Sequence, residues 1–299
     1  MHIHILISIR NLLQSKRRTF LLGGALATVT LFFVFLLSLS SGLQDTLIRS
    51  STTMSTGHIN VAGFYKITSS MGAPLITKKE EIRKMVIENT PDLDYVIDRA
   101  RGWSKIISEK ASVQAALSGI ELKEEKHLIH SLQLAKESEY LETGKEIILG
   151  DINRIAEPNT AIMFAKQAKR LNVTVGDKVT IITENINGTA NAGDVTVIAV
   201  VRDIGLLSSW TVFLSKETVR QLYQLQSDTS GAVMVYIKDI TKAEKTMEHL
   251  RSVFAEKGYR VMDHVSQPFW MKFETVNGED WIGQKLDLTV WQDEVAFLH

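Results

Sequence analysis

LNVTVGDKVTI, residues 171–181, decides how the middle of the chain is read. Gly176 and Asp177 are turn residues between two apolar-alternating runs, Val173–Val175 and Val179–Ile182, which predicts two short strands about a tight turn. Further on, DVTVIAVV (194–201) alternates with period two. The intervening ENINGTANAG (184–193) supplies Asn187-Gly188 and Gly193, the residues a hairpin connection demands. EIILG (146–150) and TAIMF (160–164) read as further strands, and AKQAKRL (165–171) as one short helix. Residues 121–205 are therefore expected to be a strand-rich unit on a sheet of its own.

The flanks have a different rhythm. GHINVAG (57–63) reads as a strand, and KKEEIRKMVIEN (78–89) as an amphipathic helix with Ile82, Met85 and Val86 inward, Thr77 as its N-cap and Pro91 after its stop. DYVIDRARGWSKIIS (94–108) and ASVQAALSGIE (111–121) suit paired strands. Beyond the insert come a strand at 211–215, a helix at 216–226 with Val219 and Leu222 inward, a strand at 231–239, a helix at 241–257 and a last strand, YRVMDH (259–264). Alternating strands and helices imply a layered α/β unit. The two flanks are expected to share one sheet that covers both helices. The fold class is thus α/β (α+β), a split domain with a strand-rich insert.

All of this follows a long apolar run. No charge occurs from Thr19 to Gln44, and FLLGGALATVTLFFVFLLSLSSG (20–42) is apolar or small throughout. That is long enough to cross a bilayer, which takes about 20 residues of helix. Lys16, Arg17 and Arg18 precede it, so the positive-inside rule puts the N-terminus in the cytoplasm and the region after Leu43 outside. A cleaved signal peptide is the competing reading. The run exceeds the usual apolar core of about 7–15 residues, however, and no A-x-A site follows it. Ile5, Leu6, Ile9, Leu12 and Leu13 fall at helical spacing, which suits a helix lying in the inner interface. Gly23, Gly24, Ala25 and Ala27 form a small-residue patch where a second helix can pack closely.

The 299 residues balance 34 basic against 34 acidic side chains and contain no cysteine. Neutrality argues against nucleic acid as a partner, and the lack of thiols removes disulfides, Cys nucleophiles and Cys-based zinc sites. GEDWIGQK (278–285) is the nearest approach to a phosphate-binding loop, but it places Gln284 where the lysine must follow and has no clear strand before it. His127 and His130, with only Glu124 and Glu125 as acidic neighbours, fall short of a zinc set. ELKEEKHL (121–128) reads as a solvated helix face. No nucleophile elbow or HExxH occurs, so no catalytic residue, cofactor or metal is expected. Phe269, Trp270, Phe273, Trp281 and Trp291 form an aromatic cluster that suits either core packing or a membrane interface.

The order of these pieces resembles the first half of FtsX-like and MacB-like ABC transporter permeases, which include the lipoprotein-releasing permeases. The matching stretches are SIRNLLQSKRRTFLLGGALA (8–27), SLSSGLQDTLI (38–48), GHINVAGFY (57–65), IILG (147–150), AKQAKRLNVTVGDKVTI (165–181), VIAVVRD (197–203), VFLSKETVRQLYQL (212–225) and VMVYIKD (233–239). The resemblance implies a permease subunit in the bacterial inner (plasma) membrane, with its main domain periplasmic. It implies a cytoplasmic ABC ATPase, a second permease copy or homologue, membrane lipid and an envelope partner, but no nucleic acid. The external domain would move as the ATPase turns over, extruding or releasing a substrate such as a lipoprotein. The chain then divides into an interfacial helix (1–18), a transmembrane helix (19–43), the first α/β part (44–120), the insert (121–205), the second α/β part (206–268) and an aromatic membrane-proximal segment (269–299) leading toward a second membrane helix. The hairpin residues Asn185, Asn187, Gly188 and Asn191 are the candidate partner contact, although this hairpin lacks the proline and basic tip of the lipoprotein-releasing permeases. A single-span anchored binding or sensor domain is the alternative.

Overall fold

The computed structural model describes residues 16–69, 71–204 and 207–296. The interfacial helix expected over 1–18 falls, for residues 1–15, outside the described residues. The chain divides into two compact units, Met1–Arg49 and Ser50–His299.

The first unit contains most of α1 (Lys16–Ser51). Its segment Lys16–Leu43 has a mean hydropathy of 2.4 and is unburied throughout. At 1.5 Å per residue those 28 residues extend about 42 Å, enough for a hydrocarbon core of about 30 Å. Two hydroxyls inside it are satisfied locally: Thr28 donates to Gly24 O and Thr30 to Leu26 O, both at 2.9 Å.

In the second unit the elements follow in order. They are β1 (Ile59–Lys66), β2 (Gly72–Ala73), β3 (Ile76–Thr77), α2 (Lys79–Asn89), β4 (Leu93–Ile107), β5 (Ser112–Ile120), α3 (Lys126–Ser131), α4 (Glu137–Tyr140), β6 (Thr160–Phe164) and α5 (Ala165–Leu171). Then come β7 (Lys178–Glu184), β8 (Ala190–Val201), β9 (Thr211–Ser215), α6 (Lys216–Tyr223), β10 (Thr229–Ser230), β11 (Ala232–Ile237), α7 (Ala243–Glu256), α8 (Phe273–Gly278), β12 (Gly283–Val290) and α9 (Trp291–Val295).

Among the described residues the main strands join one continuous sheet, in the order β12-β1-β11-β4-β5-β9-β6-β8-β7, and β7 pairs back onto β4. The first four are antiparallel and form an open layer. Its one face, with Ile59, Val61, Val233, Val235, Leu286 and Leu288, is covered by Ile82 and Val86 of α2 and by Met247, Leu250 and Phe254 of α7. Burying each such side chain contributes about 1.5–3 kcal/mol. The last six strands close on themselves into a barrel, whose core includes Ile106, Leu117, Met163, Ile181, Val197 and Leu214. TAIMF is buried at every position: Ala161 and Met163 enter this core, while Ile162 and Phe164 pack on the other side with Ile198 and Phe213.

Several expectations need correction. The strand-rich insert does not keep a sheet of its own. β4 is fifteen residues long, pairs with β11 through its first part and with β5 through its second, and so belongs to both layer and barrel. Helix α6 sits over the barrel, because Val219, Leu222 and Tyr223 join the barrel core rather than the core that holds Ile82. Val173–Val175 is not a strand: Thr174 N donates to Asp177 Oδ2 (2.8 Å) and Gly176 N to Val197 O (2.8 Å), which folds the segment into a loop pinned to β8. The VGDKVTI hairpin itself forms, between β7 and β8, with Val179 opposite Val195. Thr77 lies in β3, and the N-cap of α2 is Lys78 at φ 56. YRVMDH contributes only a bridge, Val261 to Leu286. The longest strand missed from sequence is β12, which pairs with all eight residues of β1.

Candidate functional site

The site that stands out is where the chain enters the second unit. After α1 the backbone widens into a π-turn, Thr52–Thr56, closed by Gly57. Gly57 N donates to Thr52 O (2.8 Å), and its φ of 68 with ψ of −165 is a conformation essentially reserved for glycine. A Cβ there would also press on Met234 Cβ and Val235 O at 3.1 Å. The chain then turns at once into β1.

The carbonyls exposed by this turn are taken up by side chains from two strands. Arg99 of β4, with no exposed surface, donates Nη1 to Met54 O (2.7 Å) and Nη2 to Thr53 O (2.8 Å). Its Nε and Nη2 hold the carboxylate of Glu125 in a bidentate pair, and Glu125 is 3 % exposed. Burial opposes the charge on Arg99, but Glu125 more than reverses this and raises its pKa. Tyr236 of β11 donates its hydroxyl to Thr52 O (2.8 Å), and burial pushes that phenol up to about 12. Tyr236 stacks on Tyr95 at 4.2 Å between centroids, Tyr95 stacks on His127 at 4.8 Å, and His58 meets Tyr236 edge-on at 5.2 Å. His58 accepts at Nδ1 from Ile237 N (3.1 Å), and burial lowers its pKa, which favours the neutral ring. Arg99, Glu125, Tyr236 and His58 thus form a clamp around residues 52–58.

The end of β12 lies beside this entry. β12 runs antiparallel to β1 with Val290 opposite Ile59, and Trp291 N donates to His58 O at 3.3 Å. Entry and exit therefore share one end of the open layer.

A second buried charge cluster ties layer to barrel. Asp98, 3 % exposed, meets Arg83 Nη1 at 2.9 Å and Lys216 Nζ at 3.1 Å, and accepts from Ser230 Oγ at 3.2 Å. Glu124 bridges the same Arg83 (2.9 Å) and Lys216 (3.7 Å). Glu124 and Glu125, read from sequence as part of a solvated face, are instead partners of these two clusters. The detectable signal was DRAR (98–101), charges set inside an otherwise apolar strand run.

The residues singled out from sequence lie elsewhere. Gly23 and Ala27 line a shallow groove on α1 with Leu26, Thr30, Leu31 and Val34; Gly24 lies beside it with open space where a Cβ would stand. In the hairpin, Asn185 is buried and builds the turn: its Oδ1 accepts from Asn187 N and Thr189 N, and its Nδ2 donates to Gln224. Asn191 donates to Leu222 O (2.8 Å), so the hairpin is tied down along α6; Gly188 completes its tip at φ 77. Phe269, Phe273 and Trp281 pack on β1 around Phe64 and Lys66 as part of the core, while Trp270 is exposed. Lys285 pairs with Glu279 at 2.8 Å. Among the described residues no group of three or more His, Asp or Glu is placed to hold a metal.

No family model matches the chain, and no curated protein matches it. The chain is similar to a number of solved structures, three of which follow. One is the extracellular domain of the noncanonic ABC-type transporter YknZ from Gram-positive bacteria, at 14 % identity and TM-score 0.40, over 66 % of this chain and 94 % of that one. Another is the periplasmic region of MacB from Actinobacillus actinomycetemcomitans, at 13 % identity and TM-score 0.39, over 75 % and 84 %. The third is a domain of a putative permease protein from Porphyromonas gingivalis, at 13 % identity and TM-score 0.35, over 67 % and 83 %.

Proposed function

We propose that the chain is a membrane subunit of an ABC transporter of the FtsX-like and MacB-like permease type, without catalysis of its own. Its second unit works outside the cytoplasmic membrane, with the N-terminus inside. In this reading a separate cytoplasmic ATPase supplies the energy and a second permease copy completes the membrane part. Movement that reaches residues 52–57 is passed by Arg99 and Tyr236 into β4 and β11. The load ends in the barrel, which extrudes or releases a substrate such as a lipoprotein or acts on an envelope partner.

The observation that carries this reading is the adjacency of entry and exit at a clamped end of the sheet, Ile59 against Val290, with Arg99 and Tyr236 holding Thr52–Met54. A domain inserted between two membrane helices needs such an arrangement. A terminal binding domain on a single anchor has no use for it. The ordered sequence pieces from residue 8 to residue 239 support the same reading.

The test uses the absence of native cysteine. In membranes that also hold the ATPase, a pair of cysteines at His58 and Trp291 would be oxidised to a disulfide. Cross-linking that arrests substrate release while ATP binding persists supports transmission through this end; unchanged release rejects it. Saturable ATP hydrolysis by the purified chain alone would reject the assignment of the ATPase to a partner.

A further inference from the structure

Helix α6 joins two places that lie apart in the body. Its first residue, Lys216, places Nζ 3.1 Å from Asp98 Oδ2 and 3.7 Å from Glu124 Oε2. Asp98 stands on the part of β4 that pairs with β11, and it also takes Arg83 of α2 at 2.9 Å. The N-terminal end of α6 is therefore fixed to the open layer. Its C-terminal end is fixed to the β7–β8 hairpin. Thr183 and Asn191 face each other across that hairpin, and both donate to Leu222 O, Asn191 Nδ2 at 2.8 Å and Thr183 Oγ1 at 3.2 Å. One residue beyond the helix, Gln224 Oε1 accepts from Asn185 Nδ2 at 2.9 Å. Between these ends the helix has no slack. Val219, Leu222 and Tyr223 enter the barrel core, and the Tyr223 hydroxyl donates to Trp103 O at 2.6 Å. Two strands meet the helix through glycine, where a side chain would crowd it. A Cβ on Gly119 of β5 would stand 3.0 Å from Val219 Cγ2, and one on Gly193 of β8 would stand 3.0 Å from Leu222 Cδ2.

We propose that α6 is a strut between hairpin and layer: a displacement imposed on the β7–β8 tip reaches Asp98 along the helix, and one that starts in the layer reaches the tip. Eight helical residues extend about 12 Å, and the backbone hydrogen bonds that close each turn resist compression along the axis. Asp98 and Thr183 are both buried, so the contacts at the two ends are little screened by water. The ends therefore move with the helix. β7 also pairs with β4 at residues 105–107, which gives the hairpin a second route to the layer along β4 itself. The strut is distinguished from that route by Leu222 O, which the β4 route does not use.

The strut requires nothing of the transporter reading and is tested on the full chain in detergent micelles by amide hydrogen exchange. The double change Thr183→Val with Asn191→Ala frees Leu222 O and leaves the β4–β7 pairing in place. Protection of α2 at residues 82–88, which include Arg83, should then fall by about fivefold. Lys216→Met frees the other end, and protection at residues 181–184 should fall by about the same factor, since coupling is reciprocal. Residues 284–289, where β12 pairs with β1, serve as the reference. They should change by less than about twofold, the range within which independent sites add. Thr183→Ser keeps a hydroxyl facing Leu222 O and should leave α2 within about twofold of wild type. The proposal is overturned if either release alters exchange only at its own end, or if residues 284–289 lose protection by the same factor. It is overturned equally if Thr183→Ser loosens α2 as much as the double change does.

Discussion

Replacing Glu125 by alanine tests whether the entry clamp is a structural anchor. The change leaves the Nε–H and one Nη2–H bond of Arg99 without acceptors, on a guanidinium with no exposed surface. Removing one partner of a buried ion pair costs about 3–5 kcal/mol. At about 2–4 °C per kcal/mol for a body of this size, Tm should fall by about 6–20 °C. Glu124 is the built-in control, one residue away and with its side chain 28 % exposed. Glu124→Ala should cost about 1 kcal/mol, or about 2–4 °C. The double change Arg99→Met with Glu125→Leu removes both charges, yet the carbonyls of Thr53 and Met54 then lose their donors at about 1–3 kcal/mol each. It should therefore stay well below wild type, unlike a buried pair whose only role is mutual. Thermal unfolding of the detergent-solubilised chain, followed by circular dichroism, reads all three. A Glu125→Ala chain that melts within about 3 °C of wild type, or together with Glu124→Ala, refutes the clamp.

Gly57→Ala should cost about 2–4 kcal/mol in a denaturant titration, from its backbone conformation and the 3.1 Å approaches to Met234 and Val235; a loss below about 1 kcal/mol contradicts the strain. Asp98→Ala leaves Arg83 and Lys216 facing each other with only Glu124 between, and should lower stability by about 3 kcal/mol, while Lys84→Ala on the exposed side of α2 should be neutral within about 0.5 kcal/mol. A single cysteine at Asn187 should react with a membrane-impermeant maleimide in intact cells whose outer barrier is opened, and one at Lys16 should not; the reverse pattern inverts the topology.

The long apolar helix, the α2 amphipathicity and the β7–β8 hairpin were legible because each is written in local composition or periodicity. Ile82 and Val86 recur at helical spacing, and 194–197 alternate before the fully buried 198–201. What was not legible depends on partners far away in sequence. β12 was passed over although Leu286, Leu288 and Val290 alternate with Lys285, Asp287 and Thr289, because the stretch was read as leading toward a membrane helix; Asp287 is tolerable in a core only because Lys272 reaches it. The continuity of layer and barrel was hidden because 94–108 read as a strand with a single partner, 111–121. There β4 changes partners from β11 to β5, and Gly102 makes room for the ring of Tyr223. Glu125 looked like any acidic residue in a charged run. Only the fold shows it opposite Arg99, whose own charge inside the strand was the one available clue. The small-residue patch on α1 and the hairpin asparagines were found by composition. Two of those asparagines, Asn185 and Asn191, are consumed by internal hydrogen bonds that no local pattern announces.

The pairing of β1 with β12 also bears on the order in which the body is made. Ile59 is among the first residues of the body to emerge from the ribosome, and its sheet partner Val290 is among the last. Until residues 283–290 arrive, β1 can pair only with β2 and β11, and its other edge offers eight residues of unpaired backbone to any neighbour. Closing so long a loop is slow relative to forming the β7–β8 hairpin, which needs only the tip at 185–189. The barrel can therefore condense early, while the open layer waits for residues 283–290 to emerge. A stalled or shortened chain would expose that edge, and aggregation through β1 is the failure to expect from it.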